Sequence, residues 1–313
     1  MKKLSDRKDE YRMNGILNIY KEKGFTSHDV VAKLRGILHQ KKIGHTGTLD
    51  PDAVGVLPVC LGKATRVCDM LTEETKTYET IMLLGVDTDT QDTSGTVLRT
   101  GPVDVTEEQV REVAASFVGP YEQVPPMYSA LKVNGKKLYE LARKGIEVER
   151  KARKVQILDL QVLEVDLPRV RMSVTCSRGT YIRTLCYDIG EKLGCPACME
   201  HLTRTRVGIF SVENSHTLAE VEASVKEGGL PVGLVTLDQL FADKAAVVMQ
   251  PESDALVHNG NIFHVSRMMK KSRKDWRHLQ EVRVYDSQEK FVGIYYYKEG
   301  YFYLKKMFYD PEA

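Results

Sequence analysis

No run of about 18 apolar residues, the length a helix needs to cross a bilayer, occurs anywhere in the 313 residues. The first ten, Met1 to Glu10, lack the apolar core of an export signal, so a cytoplasmic protein with no membrane contact is expected. An excess of one charge is missing as well. Lys+Arg 45 stand against Asp+Glu 43, a net +2, so any nucleic-acid partner has to be argued from local patches and not from a global field. Cysteine is sparse: Cys60, Cys68, Cys176, Cys186, Cys195 and Cys198 form no disulfide framework, and reduced thiols are expected. Cys195-Pro196-Ala197-Cys198 is a CxxC without the second pair that structural zinc requires, so these thiols are expected to pack and no metal is assigned. There is no internal repeat and no low-complexity tract.

Familiar catalytic loops are absent too. Gly62-Lys63-Ala64-Thr65 fails as a phosphate loop, because Leu57 stands where the first glycine belongs and Thr65 falls one place late. Asp87-Thr88-Asp89-Thr90-Gln91-Asp92 fails as a calcium loop, with Asp92 at the glycine position and Leu98 at the final glutamate position, and reads as a polar turn. No GxSxG nucleophile elbow is present.

What is there suggests about two domains, on a prior of ~150 residues each. After a solvated tail over 1–12, residues 13–20 read as a strand. Ser27 reads as an N-cap for a helix burying Val30, Val31, Leu34, Ile37 and Leu38. Residues 41–56 form a Gly-rich loop and 76–84 alternate as a strand. Thr106 caps a helix with Val110, Val113, Ala114 and Phe117 inward, and Asn134-Gly135 marks a turn before a short helix stopped by Gly145. Long strands at 155–165 and 170–176 precede a helix over 180–193 with Ile182, Leu185, Cys186, Ile189 and Leu193 on one stripe. Interspersed strands and helices imply an α+β core of mixed sheet with helices packed on it. From about Lys244 short β-rich runs, 281–285 and 291–297 among them, imply a small second domain.

Two segments carry chemistry. Gly44-His45-Thr46-Gly47-Thr48-Leu49-Asp50-Pro51 combines two glycines, an imidazole and a carboxylate, as loops do where backbone approaches a ligand closely. Asp50-Pro51 reads equally as the start of a turn. An ionised Asp50 in a pocket can act as a covalent nucleophile, and a neighbouring Arg would hold its pKa low. In Cys176-Ser177-Arg178-Gly179-Thr180-Tyr181-Ile182-Arg183-Thr184-Leu185, Arg183 falls in the first turn of a helix, where the helix dipole opposes a cation and an anionic partner would offset the cost. A structural ion pair on the surface fits the same position.

Basic residues cluster twice. Lys132, Lys136, Lys137, Arg143, Lys144, Arg150, Lys151, Arg153 and Lys154 face only Glu140, Glu147 and Glu149; Arg267, Lys270, Lys271, Arg273, Lys274 and Arg277 face only Asp275. Each could be a solvated face, but two in a balanced chain favour a phosphate backbone as partner.

The loop Gly44 to Pro51 continuing to Gly62-Lys63-Ala64-Thr65, and Cys176 to Leu185, with Lys23 to Val31, Lys76-Thr77-Tyr78, Pro125 to Lys132 and Leu202-Thr203-Arg204-Thr205, resemble the bacterial tRNA pseudouridine synthases of the TruB family, in the family's order over roughly 13–240. The resemblance implies conversion of uridine 55 in the tRNA T-loop to pseudouridine, an isomerisation with no net redox change or hydrolysis and hence no cofactor or metal. It implies Asp50 as nucleophile, Tyr78 stacked on the base and assisting proton removal from carbon 5, and Arg183 as the ion-pair partner of Asp50. Tyr181 and Leu202 would line the uracil pocket, and His45 would fill the space left in the RNA stack by the extruded base. Lys21 falls in the family's first motif with a structural role near the substrate site, and Glu22 stands where many members carry proline. The implied fold is the pseudouridine-synthase α+β fold, its mixed and mainly antiparallel sheet flanked by helices. Its catalytic domain would span 13–243 with a thumb-like insertion about 120–154, and a small β-rich PUA-like RNA-binding domain would span 244–313. The expected partner is the T-arm stem-loop of tRNA, bound by a monomer without an obligate protein partner. A catalytically silent tRNA-binding protein or RNA chaperone of the same fold, or a relative guided by a separate RNA, are the alternatives.

Overall fold

A computed structural model describes residues 13–133, 135–272 and 275–309. The expected tail over 1–12, Asn134 of the expected turn, and Arg273 and Lys274 of the second basic cluster lie outside the described residues. The chain divides into two compact units. The larger comprises 17–59 and 67–233, and the smaller comprises 60–66 and 234–309 together with 13–16.

The larger unit is built on a mixed sheet. Its strands are β1 (Gly15–Lys21), β2 (Val54–Leu61), β3 (Lys76–Leu84), β4 (Gly119–Gln123), β5 (Arg153–Asp166), β6 (Arg169–Cys176) and β7 (Ala197–Val207), in the spatial order β1-β2-β7-β3-β6-β5-β4. The neighbours of β3, β5 and β6 all run antiparallel, whereas β7 runs parallel to β2 at Thr203–Val54 and Arg204–Gly55. The sheet is therefore mixed and mainly antiparallel, as expected. Strand β3 alternates strictly, burying Lys76, Tyr78, Thr80, Met82 and Leu84 on one face, which the period of two in its sequence dictates.

Three helices matter to the site. Helix α1 (Ser27–Ile37) buries Val30, Val31 and Leu34. Its N-cap is Thr26 and not Ser27: the Thr26 hydroxyl accepts from the Asp29 amide while the Asp29 carboxylate accepts from the Thr26 amide. The acid needed to close that capping box lies three residues after Thr26, so the start shifts by one and leaves the Ser27 hydroxyl free for another partner. Helix α2 (Glu107–Ala115) starts at Thr106 with the same reciprocal cap and buries Val110 and Ala114. Helix α3 (Ile182–Leu193) buries the expected Ile182, Leu185, Cys186 and Ile189 against the sheet, in one apolar cluster with Tyr78, Met82, Val174, Leu202 and Ala114. Cys195 joins the same cluster and Cys198 is also buried, so the CxxC thiols are packed as expected.

The smaller unit carries a five-stranded sheet with strands β8 (Ala245–Val248), β9 (Phe263–His264), β10 (Glu281–Tyr285), β11 (Phe291–Lys298) and β12 (Tyr301–Met307), in the order β8-β10-β11-β12-β9. Phe263, Tyr295 and Phe302 pack in its core, the Phe263 ring centroid 5.3 Å from that of Tyr295 and 5.0 Å from that of Phe302. The β-rich C-terminal texture read from the sequence is thus realised.

Candidate active site

The loop after Gly44 is pinned from three sides, which fixes where Asp50 stands. The freed Ser27 hydroxyl accepts from the Leu49 amide at 2.9 Å. Thr72 Oγ1 donates to the Thr46 carbonyl at 2.9 Å. Lys21, wholly buried at the end of β1, donates from Nζ to the carbonyls of Phe25, Pro51 and Glu22 at 2.6, 3.0 and 3.2 Å. Burial pulls the Lys21 ammonium down to about 8, with Asp50 opposing. Its donors all go to backbone, so its geometry is that of a clamp on the loop beside Asp50.

Arg183, in the first turn of α3, meets the Asp50 carboxylate side-on, Nε to Oδ2 at 3.0 Å and Nη2 to Oδ1 at 3.4 Å. The pair joins a guanidinium whose side chain is 6% exposed to a carboxylate that is 40% exposed, so the anion is the member that faces outward. The remaining donors of Arg183 reach the carbonyls of Thr90 and Tyr128, both at 2.9 Å, and Asp92 Oδ2 lies 3.8 Å from Nη1. An Arg can satisfy a carboxylate and two carbonyls together because its five donors sit in one planar fork. The polar turn over 87–95 is therefore part of the site: Thr90 supplies a carbonyl, Asp92 a second carboxylate, and Gln91, held at φ +61, accepts from the Thr184 hydroxyl at 2.7 Å. Sequence reasoning missed this, since a rejected calcium loop offers no signal for an Arg acceptor.

The Asp50 carboxyl is shifted upward from its ordinary 3.8: burial raises it most, Arg183 lowers it, and Asp92 raises it again. This corrects the expectation that a neighbouring Arg would keep it low. Desolvation outweighs the ion pair because Leu49 and Ala53 on the same loop and Ile182 beside Arg183 belong to the buried apolar cluster.

Tyr78 is 9% exposed, and register places it between Val174 of β6 and Arg204 of β7. Burial raises its phenol pKa, with Arg204 opposing, so the hydroxyl stays protonated at neutral pH. Arg204 is 2% exposed and donates from Nε to the Val56 carbonyl at 2.7 Å and from Nη2 to the Gly47 carbonyl at 3.2 Å, tying β7 to both ends of the Asp50 loop. Gly55 makes that approach possible: it adopts φ +102, and a Cβ there would meet the Arg204 carbonyl at 2.3 Å. The sequence motif contains Arg204, but only the register reveals its partners. Arg204→Met is expected to lower stability by about 2 to 3 kcal/mol, the cost of two unsatisfied carbonyls less the relief of one buried charge. The measure is the urea midpoint at unchanged slope, and a loss within about 0.5 kcal/mol would show that the loop does not depend on this tie.

Tyr181 is the N-cap residue of α3 and half-buried, and Leu202 is 7% exposed in the apolar cluster with Leu49, Ala53, Tyr78 and Ile182. Asp50 acts electrostatically on both the Tyr78 and Tyr181 phenols, as the smallest of the influences that raise them. His45 stands at the start of the loop, its ring edge-on to His28 with centroids 5.5 Å apart, and its Nδ1 accepts from the Gly47 amide at 3.3 Å. Burial, His28 and Arg204 pull its pKa down to about 4, so it is a neutral imidazole at physiological pH. All seven residues singled out from the sequence thus belong to the larger unit. Asp50 and Arg183 are in direct contact, and Lys21 reaches the loop through Pro51. Among the described residues no three His, Cys, Asp or Glu side chains are grouped to hold a metal ion.

Comparison with known proteins follows the same lines. Residues 35–182 match the TruB family pseudouridylate synthase N-terminal domain, and 183–243 match the tRNA pseudouridylate synthase B C-terminal domain. A tRNA pseudouridine synthase B of Lachnoclostridium phytofermentans is 52% identical over 307 residues, covering 96% of this chain and 98% of that protein. Its counterpart in Clostridium acetobutylicum is 44% identical over 282 residues, covering 90% and 95%. Among solved structures, an H/ACA RNP bound to a substrate RNA containing 2'-deoxyuridine superposes with TM-score 0.71 at 25% identity, over 99% of this chain and 89% of that one. A Cbf5-Nop10-Gar1 complex gives 0.71 at 27% identity, over 96% and 86%. With a mixed sheet of the expected kind, a paired aspartate and arginine, and relatives of this identity along nearly its whole length, the chain belongs to the TruB family of pseudouridylate synthases.

Proposed function

We propose that this enzyme isomerises uridine 55 in the T-loop of tRNA to pseudouridine, with Asp50 as the nucleophile acting on an extruded base. The observation that carries the reading is the asymmetric ion pair, in which a buried Arg183 holds an outward-facing Asp50 carboxylate next to Leu49, which belongs to one apolar cluster with Tyr78 and Leu202. A purely structural ion pair has no need to leave its anion two-fifths exposed, whereas a nucleophile must be reachable. The names of the similar curated proteins support tRNA as the substrate.

The reaction breaks the bond between uracil nitrogen 1 and the ribose, turns the base in place, and joins carbon 5 to the sugar, after which the carbon 5 proton leaves to solvent and nitrogen 1, freed from the sugar, takes one up. Ionised Asp50 supplies the electron pair, at the sugar carbon, the 2′ position or the base. Arg183 keeps that oxygen aimed and charged against the desolvation a bound base imposes. Tyr78, neutral and braced by Arg204, offers a stacking face in the apolar wall, with Leu202 opposing water entry. Tyr181 closes the pocket at the N-terminus of α3. Extruding the base costs a few kcal/mol of unstacking, which pocket stacking and phosphate contacts offset. His45, uncharged, fits the gap that the base leaves in the RNA stack.

The domain reading that goes with this assigns catalysis to 13–243. It gives the basic stretch after Lys132, in and around the short helix Leu138–Ala142, to a thumb over the substrate, and gives 244–313 to RNA binding. The enzyme acts as a monomer in the cytoplasm. In the test, the purified chain, with no other RNA or protein added, is mixed with a T-arm hairpin transcript tritiated at carbon 5 of uridine. Stoichiometric release of one tritium per hairpin, lost when uridine 55 is replaced by cytidine, is expected. Release that persists in the cytidine substrate, or requires an added guide RNA, would overturn the assignment.

A further inference from the structure

Gln123, the last residue of β4, is 1% exposed and turns both ends of its side-chain amide to one distant residue, with a longer donation from Nε2 to the Tyr121 hydroxyl at 3.4 Å. Its Oε1 accepts from the Tyr181 backbone amide at 2.8 Å, and its Nε2 donates to the Tyr181 carbonyl at 2.9 Å. The amide thus pairs with a peptide as a neighbouring strand would, at the point where α3 begins. Tyr181 has extended backbone angles there, φ −98 and ψ 111, and its carbonyl accepts from the Leu185 amide at 3.1 Å, but it makes no side-chain cap. The rest of the lock is polar as well: the Tyr121 hydroxyl, two residues before Gln123 on the same strand, donates to Asp188 one and a half turns along α3.

Beyond Gln123 the chain runs through Val124-Pro125-Pro126-Met127 to Tyr128, whose carbonyl accepts from Arg183 at 2.9 Å. Two successive prolines offer no amide donors; this stretch, buried from Pro125 to Met127, is tied at its ends, by Gln123 on Tyr181 and by Tyr128 on Arg183, and between them by Arg150 donating to the Pro125 carbonyl at 3.3 Å. Both anchors fall on the first turn of α3, and Arg183 follows Tyr181 by two residues. A displacement of Tyr181 therefore moves the Tyr181 ring, the Tyr128 carbonyl and the Arg183 fork together.

We propose that Gln123 is a positioning residue for the isomerisation: by clamping the Tyr181 backbone it sets the first turn of α3 and the angle at which Arg183 meets Asp50. It touches neither substrate nor the reacting atoms. The proposal rests on the roles given above to Asp50, Arg183 and Tyr181. A small angular error in an aiming group is costly to a step that depends on orientation, while RNA affinity, dominated by phosphate contacts, does not sense it.

The experiment measures single-turnover tritium release and binding of the T-arm hairpin for wild type, Gln123→Leu, Gln123→Glu and Asp50→Asn. Gln123→Leu, similar in volume and lacking all three hydrogen bonds of the amide, is expected to lower the release rate at least about tenfold with the RNA dissociation constant within about twofold. A rate within twofold of wild type, or a rate and affinity that fall together, would overturn the proposal, since a merely structural residue moves the folded fraction and not the rate of the bound complex. Gln123→Glu covers the case in which the leucine variant does not fold. Protonated, the Glu carboxyl reproduces the donor and acceptor of the amide; ionised, it faces the Tyr181 carbonyl with two acceptors. Its rate deficit relative to wild type is therefore expected to be larger at pH 8 than at pH 6, and an equal deficit, or none, at both would count against positioning. Asp50→Asn separates the two readings: if it retains the wild-type rate, the reaction scheme fails and the proposal with it. If it is inactive while Gln123→Leu is not impaired, only the positioning role falls.

Discussion

Asp50→Asn is expected to reduce carbon 5 tritium release by at least about a thousandfold, some 4 kcal/mol in the barrier, while the protein folds and binds tRNA as before. The amide is isosteric with the carboxyl but has no electron pair of comparable basicity to give to carbon. The backbone role of the residue is untouched, because the Ala53 amide donates to the Asp50 carbonyl and not to its side chain. Nor does the substitution strand the arginine: Arg183 keeps the Thr90 and Tyr128 carbonyls, and Asp92 remains at 3.8 Å. Stability is therefore expected to change by no more than about 1 kcal/mol, the lost attraction being offset by one fewer desolvated charge. Single-turnover release and a binding isotherm on the same preparation decide it. Release within tenfold of wild type would remove Asp50 from the chemistry, and a parallel loss of binding would make it a binding residue instead.

How far the sequence carried this reading depends on the range of the interaction involved. Alternation over 76–84 puts Tyr78 inward because side-chain direction in a strand is a local property, and the stripe of Ile182, Leu185, Cys186 and Ile189 finds α3 for the same reason. The cap of α1 was misplaced by one residue since Thr26 and Ser27 are both competent. Only the reciprocal bond from Asp29 decides between them, and that choice in turn gives Ser27 to the Leu49 amide. The pairing of Asp50 with Arg183 spans 133 positions, and no periodicity encodes it. Residue types could nominate each partner, and a family likeness could join them, but the distance follows from how the pinned loop and the first turn of α3 are brought together. Arg204 and Gln123 show the same limit more sharply. Each is a polar residue within a strand, where pattern alone suggests solvent, and each proves nearly sealed, with backbone groups of remote segments as its partners. The upward shift of Asp50 was hidden for a related reason: the charges near it can be guessed from composition, but the amount of water taken from it cannot.

Arg183→Met is expected to slow isomerisation about a hundredfold at pH 7, with a deficit that depends on pH in a definite sense. Burial raises the Asp50 carboxyl and Arg183 opposes that rise; without the guanidinium, burial and the nearby Asp92 act unopposed by the largest lowering influence. The carboxyl pKa then climbs further. Asp50 acts ionised, so the acid limb of the rate profile reports the pH at which it loses its charge, and raising the pKa moves that limb to higher pH. The deficit of the variant should therefore be greatest near pH 6 and shrink toward pH 9, where the carboxylate forms even without its partner. What persists at high pH is the loss of aim. Arg183→Lys divides the two contributions: it keeps the positive charge, and so most of the ionisation, but a single ammonium cannot span Asp50 and the carbonyls of Thr90 and Tyr128 in one plane. Its acid limb should lie close to that of wild type while its plateau rate stays low. Single-turnover rates of the three proteins across pH 5.5 to 9.5 measure limb and plateau separately, at roughly half-unit steps within the range that leaves RNA intact. If Arg183→Met loses the same factor at every pH, the guanidinium does not govern the charge of Asp50, and its part in the reaction reduces to geometry alone.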